Sequence, residues 1–449
     1  MNLIEDTMTV SEDLKLQRLA DVPAATQPAQ QEFAKVAVLG LGYIGLPTAA
    51  VIASSGGAVL GVDVKEEILR GVSSGSIHIY EPDLDGLVQK VVANGALKVA
   101  GRPEPSDVFI IAVPTPIDED KRPDLSSVFS AARSIAPVLE RGNLVVLEST
   151  SPVGTTEAVC ALLSDLRPDL TFPLERTSMA DVNVAYCPER VLPGRILSEI
   201  VQNDRCIGGV SATCSLRAQR FYKSFVRGAC ILATARTAEL VKLTENAFRD
   251  TNIAFANELS LICNRLDVSV WDVIELANRH PRVNILRPGP GVGGHCIAVD
   301  PWFVVHSAPD LANLIRTARL TNDGMVASTI EAAASLIDAH PCANVACLGL
   351  SFKANVDDLR GSPALQVAKA LARRYGRRIK MVEPYIKELP GDIANAGAAF
   401  VSLKDALASC AVAVVLVDHD EFRGVPLEQR RHLAVLDTRG IWRDLGGLI

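Results

Sequence analysis

Short apolar runs closed by glycine or a polar cluster alternate with helical periodicity along most of the chain. Lys35 to Leu39 is β-branched and apolar, and it ends in Gly40-Leu41-Gly42-Tyr43-Ile44-Gly45. A helical pattern follows over Leu46 to Ser54, then a second apolar run, Ala58 to Val62, ending in Asp63. Val108 to Val113, Leu144 to Leu147, Val182 to Tyr186, Ile207 to Gly209 and Ala229 to Ala233 read as further strands of an open α/β sheet. From about Thr237 to Arg265 the period becomes helical. Leu240, Leu243, Ala247, Phe248, Ala254, Phe255 and Leu259 form a stripe with more than one buried face. Such a long helix between two α/β regions predicts a domain connector and a dimer element. Helical patterns continue over Val270 to Arg279 and Asp310 to Asp338, the latter carrying Arg316, Arg319 and Asn322. A second α/β unit starts at Asn344, with strands at Val345 to Leu348, Ile379 to Val382, Ala411 to Val417 and Ala434 to Leu436. Helices Ala364 to Tyr375 and Lys404 to Ala408 lie between them. The expected fold is α/β: an N-terminal Rossmann domain, a long central helix with a helical domain, and a C-terminal Rossmann-like domain.

Composition narrows the function. Of 449 residues, 48% are hydrophobic and 22% charged, as in ordinary globular proteins. A net charge of −7, from 45 basic and 52 acidic residues, argues against a general nucleic-acid binder. An anionic substrate would need a local Arg/Lys cluster. The ten cysteines show no CxxC spacing, so neither a zinc site nor a disulfide scaffold is expected, and no metal is predicted. A reducing cytoplasm is the simplest compartment. Met1 to Gln31 has no apolar core of signal-peptide length. It reads equally as a polar, partly disordered extension or as a short docking helix around Glu12 to Leu19. No apolar run reaches the roughly 18 residues of a membrane span.

The first two strands carry the clearest chemistry. Strand, GxGxxG, helix, strand and acid is the dinucleotide fingerprint. Its glycines allow a tight turn and bring a pyrophosphate to the helix N-terminus. Asp63 can accept from both ribose hydroxyls and would repel a 2′-phosphate, which favours NAD over NADP. Thr115 and Thr150 follow the strands at Val108 and Leu144, where ligands meet such sheets, with plain polar loop residues as the competing reading. Cys187-Pro188-Glu189-Arg190 closes another strand. Glu189 offers a general base and Arg190 an anion contact, with a plain solvated loop as the competing reading. Lys242, Asn246 and Arg249 fall at i, i+4 and i+7, on one helix face that by itself reads first as a solvated stripe, with contact to a phosphate or an oxyanion as the other reading.

One stretch stands apart: Gly289-Pro290-Gly291-Val292-Gly293-Gly294-His295-Cys296-Ile297-Ala298-Val299-Asp300-Pro301. Its glycines let a ligand touch the main chain. On this stretch alone, Cys296 is equally a nucleophile or a structural cysteine. Beside a nicotinamide domain, a nucleophilic cysteine suggests two successive oxidations. A thiolate adds to an aldehyde, the thiohemiacetal is oxidised to a thioester, and water releases an acid.

The chain resembles the UDP-glucose/UDP-N-acetylmannosamine dehydrogenase family of nucleotide-sugar dehydrogenases over roughly Lys35 to Asp444. The carriers are GLGYIGLP at 40–47, PTP at 114–116, STSPVGTTE at 149–157, CPERVLPG at 187–194, Lys242 with Asn246, GVGGHCIAVDP at 291–301, GLSFKANVDDLRGSPAL at 349–365 and DTRG at 437–440. The resemblance implies a polar extension over 1–33, an NAD-binding domain over 34–235, a central dimerisation domain over 236–335 and a UDP-binding domain over 336–449. It implies four-electron oxidation of a sugar C6 alcohol with NAD as cofactor, in a homodimer or higher oligomer with a shared site and no membrane or nucleic-acid partner. Cys296 would be the nucleophile. Lys242 and Asn246 would steady the oxygen, Asp300 would orient Lys242 or a water, and Thr150 and Glu189 would manage the hydrolytic water. Gly40, Gly42, Tyr43, Ile44, Gly45, Asp63, Thr115, Thr150 and Arg360 would hold NAD. Arg190, Val191, Lys242, Asn246, Arg249, Asn284, Arg287, Gly293, Phe352, Lys353 and Arg439 would meet the UDP-sugar, with Arg282 lent by a neighbouring subunit. His295 fits a substrate or loop residue better than a catalytic one.

UDP-glucose members carry a second glutamate four residues after the position of Glu189, with Phe between; here Arg190 and Pro193 stand in that block. The cysteine and CPERVLPG blocks are instead similar to the UDP-N-acetyl-D-mannosamine branch. The expected substrate is therefore a UDP-N-acetylhexosamine, with the manno epimer ahead of the gluco and galacto epimers and of UDP-glucose. Arg190 would then contact the acetamido group or a phosphate. A two-electron hydroxyacid dehydrogenase and a non-catalytic NAD-binding protein are more distant readings.

Overall fold

The computed structural model describes residues 33–79, 81–174, 180–192 and 194–443. The expected extension over 1–33 lies outside them except for Phe33, whose ring packs edge-on against Phe221 in the core. The described residues form two compact units, and the chain passes from one to the other between Lys242 and Leu243.

The first unit is built on eight strands: β1 Lys35–Leu39, β2 Ala58–Val62, β3 Leu97–Ala100, β4 Val108–Ile111, β5 Leu144–Leu147, β6 Asn183–Tyr186, β7 Arg205–Gly209 and β8 Cys230–Thr234. Their order is β3-β2-β1-β4-β5-β6-β7-β8, parallel except for the β6–β7 pair. Chain order reverses beside β1, which makes the β1/β4 junction the crevice where such sheets take ligands. Alternate residues of one strand serve opposite cores: Val36 and Val38 pack in one, Ala37 and Leu39 in the other. This period of two buries both faces, so the strands read as unbroken apolar runs.

The ladder of β4 ends at Ile111, two residues before the expected Val113. Ala112 still donates to Leu39 O at 2.8 Å, but its carbonyl then faces Gly40 as the β1 chain turns away. The edge strand β3 was not expected; Lys98 interrupts a run of only four residues.

The second unit holds the later part of the Ala235–Arg265 helix, the Asn313–Asp338 helix and a five-stranded parallel sheet. Its strands are β9 Val345–Leu348, β10 Ile379–Val382, β11 Ala399–Phe400, β12 Val412–Val415 and β13 Ala434–Asp437, in the order β11-β10-β9-β12-β13. Val345 and Cys347 face one core, Ala346 and Leu348 the other. A buried polar network joins the two long helices. Arg319 donates to Asp250 at 2.5 Å, and Asn322 donates to the same carboxylate oxygen at 2.7 Å. Asn257 donates to Asn322 Oδ1 at 2.8 Å and accepts from the amide of Gly289 at 2.9 Å. The network thus reaches the start of the glycine-rich stretch.

Candidate active site

In the first unit, β1 runs into the glycine turn and then the Gly45–Ser54 helix. Gly40 has φ +91°, and a Cβ there would stand 2.6 Å from Ala112 O. A Cβ on Gly45 would stand 1.8 Å from Gly40 O, so turn and helix can close only with glycine at both positions. Gly42 faces open space. Tyr43 and Ile44 are half-buried beside it. The helix has no side-chain N-cap and no acid in its first turn, which leaves its amides for an anionic ligand. Asp63, at the end of β2, accepts from the Leu41 amide at 2.9 Å and from Lys65 N at 2.9 Å. The acid is thereby fixed beside the glycine turn. An uncapped helix start, an open glycine and a positioned acid fit a dinucleotide.

The next strand ends are tied together. Thr115 Oγ1 donates to Thr150 O at 2.7 Å, and Ser149 Oγ donates to Val113 O at 2.7 Å. Both expected threonines therefore sit on one braced rim. Beneath it lies a buried charged group. Glu189 accepts from its neighbour's amide, Arg190 N, at 2.8 Å, and its other oxygen is paired with Arg205. Both side chains are almost fully buried. The carboxylate expected to manage a water is thus already held by a guanidinium. Glu148 shares this pocket. Burial, and then the Glu189 charge, push its carboxyl up to about 8 against the pull of Arg205, Thr48 and Tyr222. Neither Arg205 nor Glu148 belongs to a motif with a stated role, and only the fold brings them to Glu189. Arg190 donates to Asp204 O, and Val191 packs against the core. Lys242 is the last residue of this unit, half-buried on the long helix one turn before Asn246.

In the second unit, Cys296 is exposed on a turn that leads into the Asp300–Ser307 helix. Asp300 N donates to Cys296 O at 2.8 Å, which folds the five residues from Cys296 to Asp300 into one turn. The buried Asp300 carboxylate accepts from Asn246 Nδ2 at 2.6 Å. Asp300 is expected to orient Lys242 or a water, and the bond to the Asn246 amide is one that its carboxylate makes in the structure. Three expected residues, Asn246, Cys296 and Asp300, are therefore held as one group. Burial lowers the pKa of His295, and the Arg360 charge adds to the effect against Asp358. Arg360 itself grips Asp358 through two bonds of 2.8 and 2.7 Å.

The glycine-rich stretch also lines a cavity of about 300 Å³ with Phe352, Lys353, Asp418 and Arg439. A Cβ on Gly293 would lie 2.7 Å from Pro363 Cδ and 2.8 Å from Gly361 O, so only glycine allows this close packing. Arg439 donates to Asp418 at 3.1 Å and to Pro288 O at 3.4 Å, which fixes its guanidinium in the wall. Arg249, Arg282, Asn284 and Arg287 are exposed, and the contacts of the second unit do not gather them into this group.

Comparison with known proteins bears on this arrangement. Three models of the UDP-glucose/GDP-mannose dehydrogenase family match in order: the NAD-binding domain at residues 34–226, the central domain at 236–324 and the UDP-binding domain at 346–444. The chain is 53% identical over 411 residues to an NDP-N-acetyl-D-galactosaminuronic acid dehydrogenase of Ralstonia nicotianae, covering 92% of this chain and 97% of that one. It is 51% identical over 422 residues to the UDP-N-acetyl-D-mannosamine dehydrogenase of Yersinia pestis, covering 92% and 100%. Among solved structures it resembles the UDP-D-ManNAc dehydrogenase of Pyrococcus horikoshii, at 41% identity and a TM-score of 0.81, covering 91% and 96%. The chain therefore belongs to the UDP-glucose/GDP-mannose dehydrogenase family and carries its NAD-binding, central and UDP-binding domains in that order.

Proposed function

We propose that this protein is an NAD-dependent 6-dehydrogenase that oxidises the C6 alcohol of UDP-N-acetyl-D-mannosamine to the carboxylate. The observation that carries the reading is the exposed Cys296 held on one turn with Asp300, whose carboxylate accepts from Asn246 on the long helix. NAD, held by Gly40 to Gly45, Asp63, Thr115 and Thr150, supplies the oxidising equivalents for both stages. The Cys296 sulfur bonds to the C6 aldehyde carbon, the carbonyl pair moves to oxygen, and the thiol proton is released. Asn246 has two amide hydrogens, and the one not given to Asp300 can meet that oxygen. Lys242, one turn earlier, adds a positive charge and can move the proton. After the second oxidation a thioester remains. Water adds to its carbon, the C–S bond breaks, and the sulfur keeps the pair as thiolate. Thr150 and Glu189 position that water; Arg205 keeps Glu189 in place. Lys353, Arg439, Phe352 and Gly293 take the nucleotide part of the substrate.

A second reading comes from the 53% identical Ralstonia relatives, whose name specifies the galacto configuration. A panel of UDP-sugars read by NADH absorbance separates the two. The manno epimer is expected to give the highest kcat/KM; a strong preference for the galacto or gluco epimer overturns the assignment. Phe248 and Phe255 are 70% and 57% exposed, which supports a second copy of the chain on the long helix. In such a homodimer Arg282 can serve the neighbouring site. Light scattering in solution tests this, and a monomer contradicts it. Ten cysteines without CxxC spacing support a reducing, cytoplasmic setting.

A further inference from the structure

The cavity wall formed by Ser351 to Ala354 is held from behind by a buried carboxylate–imidazole pair that no motif reading assigned. Glu383 follows β10 and is buried. Its Oε2 accepts from Leu350 N at 2.7 Å, from Ser351 N at 3.1 Å and from His419 Nε2 at 3.1 Å. Its Oε1 accepts from Tyr385 N at 3.2 Å. Asn355 N donates to His419 Nδ1 at 2.9 Å, which assigns the ring hydrogen to Nε2 and fixes the tautomer. The ring is stacked against Tyr385 and meets Phe422 edge-on.

The far end of the loop is fixed as firmly. Asn355 has φ +61°, in the left-handed region. Its side chain donates to Asp420 Oδ2 at 2.8 Å and accepts from Asp420 N at 3.1 Å and Tyr385 Oη at 3.2 Å. Ser351 Oγ donates to Lys353 O at 2.8 Å between these two anchors. Burial pushes the Glu383 carboxyl up, but the His419 hydrogen bond and the backbone amides hold it below the ordinary carboxylate range.

A fully buried Glu–His pair is a costly way to fill a core that apolar side chains would pack as well. Its hydrogen bonds go to the amides of one loop and of its flanking turn, not to the sheet. We infer that Glu383 and His419 are positioning residues, which set the Ser351–Asn355 loop so that Lys353 and Phe352 present a rigid wall to the nucleotide of the substrate. This rests on the reading of the cavity as the nucleotide site. A preset loop spends no binding energy on ordering when the ligand arrives.

The test uses the full chain, UDP titrated by calorimetry, and steady-state kinetics. Lys353→Ala is expected to weaken UDP binding, which checks the cavity reading alone. His419→Phe and Glu383→Gln are expected to raise the UDP Kd and the KM for the UDP-sugar about tenfold, with kcat within about twofold and NAD affinity unchanged. His419→Gln, which keeps a donor towards Glu383, is expected to restore most of the affinity. Asn355→Gly keeps the left-handed backbone and removes the side-chain bonds, so it gives the same test where His419→Phe does not fold. Unchanged UDP affinity in these variants, with Lys353→Ala impaired, overturns the positioning role. Unchanged affinity in Lys353→Ala as well overturns the cavity reading instead.

Discussion

Asp300 accepts from the Asn246 amide at 2.6 Å, while its own backbone amide donates to Cys296 O at 2.8 Å. One buried carboxylate thus couples a donor on the long helix to the turn that carries the thiol. Asp300→Asn puts an amide against an amide and frees Asn246 to rotate. Losing one oriented oxyanion donor costs about 10² in kcat. The expected result is a fall of that order in NADH production with the KM for NAD unchanged. A change of less than about threefold would remove Asn246 from the chemistry.

Cys296→Ala removes the atom to which the aldehyde would bond. Turnover to the carboxylate is expected to fall by about 10³ or more, while UDP and NAD still bind. Product analysis by mass spectrometry checks it, and carboxylate formed at the normal rate speaks against a covalent intermediate.

Gly45 and Gly42 make opposite predictions within one turn. A Cβ on Gly45 meets Gly40 O at 1.8 Å, so Gly45→Ala should lose more than about 2 kcal/mol of stability. Gly42→Ala meets nothing in the protein and should leave the melting temperature alone. It should instead weaken NAD binding, because a methyl group then stands where the pyrophosphate approaches. Equal melting temperatures for the two variants would contradict the account.

The contrast shows what was legible from the residues. The glycine turn, Asp63 and the Cys296 stretch could be read because local backbone geometry demands glycine, and because Asp63 closes the strand that follows a GxGxxG turn and its helix. The central strands were equally plain, since burial on both faces leaves a continuous apolar run. The two-residue strand β11 and the edge strand β3 were not, because an edge needs little apolar surface. Arg205, Glu148, Glu383 and His419 were invisible for a different reason. Their charged or ring partners are distant in sequence, 16 residues apart for Glu189 and Arg205 and 36 for Glu383 and His419, so only the fold pairs them.

Arg205 is the buried ion-pair partner of Glu189. Arg205→Met leaves that carboxylate buried without its counter-charge, a change that costs about 3–5 kcal/mol. Urea unfolding should show a loss of that size, and the double variant Arg205→Met with Glu189→Gln should recover much of it. No recovery would mean that the pair is not the origin of the loss.

Glu148 gives the stability a pH dependence of definite sign. Its folded carboxyl is raised to about 8, first by burial and then by Glu189. Arg205, Thr48 and Tyr222 face it and oppose the shift. A raised acid is neutral in the fold while the unfolded chain ionises near about 4.3. Its contribution is fully present below that value and is lost as pH rises through about 8. Glu148→Gln should flatten the fall in melting temperature between about pH 5 and about pH 8. An unchanged slope would assign that fall to other groups.

Under the proposed function one cysteine carries the sugar through two oxidations, and counting the NADH released per UDP-sugar consumed, with limiting substrate and excess NAD, decides it. Four-electron oxidation predicts two NADH for each UDP-N-acetylhexosamine and a carboxylate product. One NADH for each substrate, with the aldehyde released, would contradict it.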